Sequence, residues 1–308
     1  TPPDVALAGP PPFEPFAPTG HMVTYQLPEG RIVPGPDGTL FCYSDGRLYR
    51  SVDGGVSWFL LGPVSLGGPD HGNGPLAVSP AYARDHTMYA GSPSSSILRS
   101  TDGGTSWSQV LASPSPLTDI AISPGYGEDR TLYASYATYR AGGLVVSTDA
   151  GETWRTILVT VGVTQVHLSP SFPVDRTVYV RMEDGDLWRS TDGGASWTDL
   201  APGLLRASGN CVYEVDILAL GAAHAIFAAT YWGLIVSLDC GSTWYLLSES
   251  IFSRIAVAFD PGQGVVLYAM AGLPGASGPL VASSDLGETW ETTVPGYMAE
   301  VQVSPFSP

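Results

Sequence analysis

Lysine is absent from this 308-residue chain, asparagine occurs only at Asn73 and Asn210, and there are three cysteines. All 13 basic side chains are arginine, against 29 Asp and Glu, so the formal net charge is −16. An acidic surface supplies no counter-charge for nucleic acid or an anionic membrane, which excludes both as main partners. No run of about 18 apolar residues occurs, so no transmembrane helix is expected. The five histidines are scattered at 21, 71, 86, 167 and 224. No His or Cys pair has ligand spacing, so neither a metal site nor a cofactor is expected. Cys42, Cys211 and Cys240 are expected to be buried free thiols.

What the chain has is a repeat. Ser-x-Asp-x-Gly-x-(Ser/Thr)-Trp occurs six times, with its Asp and Trp at Asp53 and Trp58, Asp102 and Trp107, Asp149 and Trp154, Asp192 and Trp197, Asp239 and Trp244, and Asp285 and Trp290. The Asp residues are 49, 47, 43, 47 and 46 apart, the length of one small supersecondary unit. Alternating apolar runs lead into and out of each copy, as in Arg47-Leu48-Tyr49-Arg50 and Trp58-Phe59-Leu60-Leu61, so each copy should be the turn of a hairpin. The Asp carboxylate can take backbone N–H groups a few residues on, and the Gly can adopt positive φ. The Trp offers an apolar face for packing between units.

A weaker motif lies upstream of the turns: Ala77-Val78-Ser79-Pro80 to Ala90, Ala121-Ile122-Ser123-Pro124 to Ala134, His167-Leu168-Ser169-Pro170 to Val180, and a looser copy at Val257 to Ala269. Each holds a strand, a proline break, a loop and a second strand. A unit therefore has four strands, A to D, with the turn motif between C and D. Four strands in about 45 residues match a β-propeller blade.

On these motifs residues 31–308 resemble the Asp-box, or BNR-repeat, propellers, a group that includes sialidases, sortilin-type receptors, xyloglucan-degrading enzymes and a photosystem II assembly factor. The resemblance implies an all-β, six-bladed propeller of four-stranded antiparallel blades, with seven blades as the alternative. It also implies a ligand face opposite the Asp boxes. The segment 299–305 reads as a strand that completes blade one; the alternative is that Arg31-Ile32-Val33 or the N-terminal segment takes that place and a seventh, degenerate blade exists. Residues 1–30, with eight prolines, read as an extended arm. The chain opens on Thr1 rather than Met, which suggests a processed extracellular or cell-surface protein.

Function should lie in residues that break the repeat, because the box is a turn device shared by several activities. A sialidase site is disfavoured: Arg31-Ile32-Val33-Pro34 has one residue too many for that family's Arg-Ile-Pro motif. Arg50, Arg99 and Arg189 recur before boxes, and Arg84, Arg130 and Arg176 in A–B loops, so they are expected to point outward. On the loop face the unrepeated candidates for ligand binding are Asp70, His71, Tyr136, Tyr139, Arg140, Tyr213, Tyr231, Trp232, Arg254 and Tyr297. Aromatics beside carboxylates suit sugar stacking. The candidate catalytic carboxylates are Glu183, Asp184, Asp186, Glu214 and Asp216. The leading expectation is a non-catalytic module that binds or assembles, through a protein partner, self-association by the arm, or a glycan. The alternatives are a glycoside hydrolase using those carboxylates and an assembly factor for a larger complex.

Overall fold

A computed structural model describes residues 22–23, 31–44, 47–61, 74–92, 94–138, 141–160, 162–200, 212–220, 223–260, 264–272 and 278–298. Blade one holds β1 (Met22–Val23), β2 (Arg31–Pro34), β3 (Leu40–Ser44), β4 (Arg47–Ser51) and β5 (Trp58–Leu61), in the order β1-β5-β4-β3-β2. Blade two is β6 (Leu76–Val78), β7 (Met88–Gly91), β8 (Ser96–Ser100) and β9 (Ser108–Ala112). Blade three is β10 (Leu117–Ile122), β11 (Leu132–Thr138), β12 (Ala141–Ser147) and β13 (Arg155–Thr160). Blade four is β14 (Val163–Leu168), β15 (Val178–Met182), β16 (Leu187–Ser190) and β17 (Thr198–Asp199). Blade five is β18 (Val212–Leu220), β19 (Ala223–Thr230), β20 (Gly233–Ser237) and β21 (Tyr245–Ser248). Blade six is β22 (Phe252–Asp260), β23 (Gly264–Ala271), β24 (Gly278–Ser283) and β25 (Glu291–Met298).

Six meanders of four antiparallel strands make the chain an all-β, six-bladed β-propeller, as its repeat implies. The A position of blade one is filled by β2, which pairs with β3 from Arg31↔Tyr43 to Pro34↔Leu40. The Arg31-Ile32-Val33-Pro34 run is therefore the strand in that place, as the alternative had it, but the described residues form six blades and not seven. The expected strand at 299–305 lies outside the described residues. Two residues of the proposed arm, Met22 and Val23, pair with Phe59 and Trp58 on the outer edge of blade one.

Each box is tied by one hydroxyl and one carboxylate. The Oγ of Ser51, Ser100, Ser147, Ser190, Ser237 and Ser283 donates to its own Asp Oδ1 at 2.7–2.8 Å. It also accepts the N–H of the box Gly at 2.7–2.8 Å. The Asp takes the backbone N–H of the Ser or Thr before the Trp at 2.7–2.9 Å. That residue's hydroxyl donates to Oδ2, including Ser57 to Asp53. The box glycines, such as Gly104 at φ +91°, lie where a Cβ is disfavoured.

The A–B segments, read from sequence as loops, contain single helical turns: α1 (Tyr82–Asp85), α2 (Tyr126–Asp129) and α3 (Phe172–Asp175). The cause is a second hydroxyl–carboxylate knot. Ser79 Oγ donates to Asp85 at 2.7 Å, while Asp85 accepts the Thr87 N–H at 2.9 Å. Ser123, Asp129 and Thr131 repeat this, as do Ser169, Asp175 and Thr177. His86, Arg130 and Arg176 close the turns in the left-handed region. Arg130 and Arg176 are thus equivalent to His86, and Arg84 sits two residues earlier.

The chain divides into two compact units, one running to Val166 and the other starting at His167. In the first, Phe41, Tyr43 and Leu48 of blade one pack with Leu76, Val78, Tyr82 and Met88 of blade two. Tyr89 Oη donates to Ala150 O in the blade-three box at 2.7 Å and lies 2.7 Å from Tyr126 Oη. Arg99 Nη1 joins the same carbonyl at 2.8 Å and Glu152 at 2.7 Å. In the second unit Arg189 Nη1 donates to Cys240 O, in the next box, at 2.6 Å. Arg99 and Arg189 therefore reach sideways into a neighbouring box, correcting the expectation that they point outward.

Two outcomes follow. Replacing Tyr89 with Phe removes a buried donor and should cost about 1 kcal/mol in denaturant unfolding; an unchanged midpoint would contradict the joint. The box carboxylates are held low. In Asp149 and Asp285 the Thr153 and Thr289 hydroxyls, then their N–H groups, hold the pKa at about 2. In Asp239 the Thr243 N–H acts first, to the same value of about 2. A depressed carboxylate contributes stability above its ordinary value near 3.8 and loses it as pH falls towards 2. The melting temperature should drop steadily between those values, and Asp149→Asn should make that drop shallower.

Candidate functional site

The second unit brings three unrepeated features together at Val212, the first residue of β18. The turn from β15 to β16, Glu183-Asp184-Gly185-Asp186, is closed by Gly185 N–H to Met182 O at 3.0 Å and by Met182 N–H to Asp186 O at 2.8 Å. Glu183 and Asp184 are exposed at its tip. Gly185 O accepts the Val212 N–H at 3.3 Å, and Arg181 Nη1 donates to Val212 O at 3.1 Å. Val212 also pairs with Thr230, which begins the Tyr231-Trp232 turn between β19 and β20. Glu214 is one step further along β18, opposite Ala229. This end of each blade is opposite the boxes, because B–C and C–D turns alternate along an antiparallel sheet.

Tyr231 and Trp232 are 51% and 53% exposed, with ring centroids 5.8 Å apart and planes at 82°. Their turn is fixed by Thr230 Oγ1, which donates to Gly233 O at 2.9 Å and accepts the Trp232 N–H at 3.2 Å. Gly233 sits at φ +129°, and a Cβ there would lie 1.9 Å from Ser248 O. Two large rings are thus held in water on a turn that only glycine can complete.

Glu214 and Arg254 form an ion pair, Oε2 to Nη1 at 2.5 Å, joining β18 to β22. The carboxylate side chain is 15% exposed and the guanidinium side chain 45%. Asp216 lies two residues on, so it faces the same side of the strand. Its Oδ1 accepts the Ile217 N–H at 2.8 Å and its Oδ2 the Val257 N–H of β22 at 2.7 Å. The residue keeps some exposed surface, but its carboxyl is desolvated, which pushes its pKa up to about 6 against those two donors and nearby His167. A raised carboxyl pKa makes stability fall as pH rises from about 3.8 to about 6. His224, lowered by burial, acts in the other direction: its contribution is lost as pH falls below the ordinary histidine value.

The other sequence candidates are distributed as follows. Tyr136 is packed in the core of the first unit with Tyr89 and Leu132. Tyr213 is half-buried at the register shift between Val212 and Glu214 on β18. Tyr297 lies on β25. Asp70, His71, Asn73, Tyr139, Arg140, Glu300 and Cys211 lie outside the described residues. His167 is half-buried with its Nε2 enclosed and without a hydrogen-bond partner. Sequence reasoning missed Arg181; its signal was a lone arginine inside the apolar strand Val178–Met182.

No protein-family model matches the chain. A xyloglucanase of Hypocrea jecorina (strain QM6a) is 28% identical over 247 residues, covering 65% of this chain and 29% of that protein. An ancestral GH74 enzyme superposes with a TM-score of 0.65 at 17% identity, covering 86% of this chain and 38% of its own. The GH74 xyloglucanase from Xanthomonas campestris gives 0.62 at 19% identity, covering 89% and 46%. YCF48 bound to D1 peptide gives 0.59 at 18%, covering 93% and 88%. The chain thus spans less than a third of the curated relative and less than half of either GH74 structure. The structural likenesses show the propeller scaffold. The xyloglucanase relative overturns the expectation of a non-catalytic module and favours the hydrolase alternative.

Replacing Gly233 with Ala should cost about 2 kcal/mol or more, because backbone strain and overlap add. Thermal unfolding of the variant checks this, and a melting temperature equal to that of the native chain would contradict the turn geometry.

Proposed function

We propose that this chain is a glycoside hydrolase acting on a neutral glucan of the xyloglucan type, at the end of the second unit that carries Val212. The single observation that carries the reading is its similarity to a xyloglucanase. The convergence at Val212 supports that location. Glycoside hydrolysis uses two carboxyl groups flanking the scissile bond, one as proton donor and one as nucleophile or base. Glu214, held by Arg254, takes the second role, and the exposed Glu183–Asp184 tip supplies the donor. Tyr231 and Trp232 offer ring faces to the apolar faces of pyranoses, as aromatic surfaces do. Asp216 is not assigned to the chemistry, because both its oxygens are committed to backbone N–H groups.

Charge supports a neutral substrate. With a net charge of −16 the protein repels polyanionic glycans, whereas an uncharged glucan meets no such penalty. A polysaccharide substrate also fits an extracellular location. Among the described residues no helix is long and apolar enough to cross a membrane. We read residues 1–30 as an arm fastened to blade one through β1, ahead of the propeller at 31–308.

The test is release of reducing ends from xyloglucan, unsubstituted β-glucan and polygalacturonate. Xyloglucan should be cleaved and polygalacturonate should not. Glu214→Gln should lower kcat about 100-fold or more, and Trp232→Ala should raise KM about 10-fold. No cleavage of any glucan by the native chain would refute the reading; cleavage that survives Glu214→Gln would refute the assignment.

A further inference from the structure

Among the described residues no strand ladder joins one blade to the next, so side chains have a large part in placing Arg254 against Glu214. The carboxylate of Asp216 grips both strands beside that pair. Asp216 is two residues from Glu214 on β18, and Val257 is three residues from Arg254 on β22. The carboxylate of Asp216 bonds its own strand at 2.8 Å and β22 at 2.7 Å. Such a bridge permits little sliding of one strand along the other.

We infer that Asp216 is a positioning residue for the proposed hydrolysis: by bridging Ile217 and Val257 it holds β22 in register with β18 and so keeps Arg254 on Glu214. The inference rests on the hydrolase reading. The first unit contains the same device on strands that carry neither Glu214 nor Arg254. There Asp119 accepts its own Ile120 N–H at 2.9 Å and the Val166 N–H of β14 at 3.0 Å. Asp119 is therefore an internal control for a bridge with a structural role alone.

The bridge needs the charged form. In a neutral carboxyl one oxygen becomes an O–H, a much poorer acceptor than a carboxylate oxygen, so the grip slackens when Asp216 takes up a proton. The groups acting on that proton are His167 from β14 and Glu214 from the same strand; β22 brings Arg254, already engaged by Glu214. Desolvation keeps this titration near pH 6. Activity should accordingly fall on the acid side of that value.

The experiment compares Asp216→Asn, Asp119→Asn and the native chain on xyloglucan from pH 4.5 to 8. Asp216→Asn is expected to lower kcat about 10-fold, leave KM within about twofold, and abolish the fall in kcat near pH 6. Asp119→Asn is expected to keep the native kcat and its pH profile. A native kcat and pH profile in Asp216→Asn overturns the proposal. If Asp216→Asn does not fold, Arg254→Gln, altered at a half-exposed side chain, should show the same kcat loss with unchanged KM; native kcat there overturns the proposal. If the native chain cleaves nothing, the hydrolase reading fails on its own. The bridge is then read from Val257 amide exchange and the Glu214 carboxyl ¹³C shift, which should both change in Asp216→Asn; an unchanged Glu214 shift overturns it.

Discussion

Among the described residues each strand ladder ends at the edge of its blade, so side chains do most of the joining of one blade to the next, beside main-chain contacts such as Val212 N–H to Gly185 O. That constraint organises the molecule. Apolar contacts supply the area, as where Phe41 and Tyr43 meet Tyr82 and Met88. Polar groups supply direction. Tyr89 and Arg99 converge on Ala150 O, Arg189 reaches Cys240 O, and Asp119 and Asp216 each hold a backbone N–H of a neighbouring innermost strand. The box serves this arrangement because its fixed turn presents a carbonyl in a constant place for the neighbouring Arg.

The sequence made the scaffold legible because the box is local. Ser, Asp, Gly and Thr within seven residues complete one another's hydrogen bonds, so the pattern in the letters is the pattern in space. The Ser79–Asp85–Thr87 knot was also spelled out, but its spacing of six and two residues was read as a loop around proline. The site was less legible, since its parts meet across three strands. Glu183, Glu214 and Trp232 are separated by 31 and 18 residues, and nothing in their local surroundings states that Val212 touches both turns. The two acids read from sequence as loop-face residues, whereas both lie on β18. Nor could the sequence tell that one pairs with an arginine and the other with backbone.

These two acids show how neighbouring positions of like chemistry part in role. Glu214 is longer and stops at a partly exposed guanidinium. Asp216 is shorter and ends among main-chain donors, away from water. The molecule accepts a desolvated carboxyl there, which works against stability near neutral pH. Such a local cost beside a candidate site is typical of residues retained for geometry.

The two-residue strand β1 alters how chains of this kind meet one another. An outer strand with free N–H and C=O groups is a template for another chain's strand, and proteins avoid aggregation by blunting such edges. Met22 and Val23 occupy that edge on blade one. Blade one thus offers only a two-residue outer strand, whereas β13 and β21 are longer outermost strands that expose Val159, Tyr245 and Leu246.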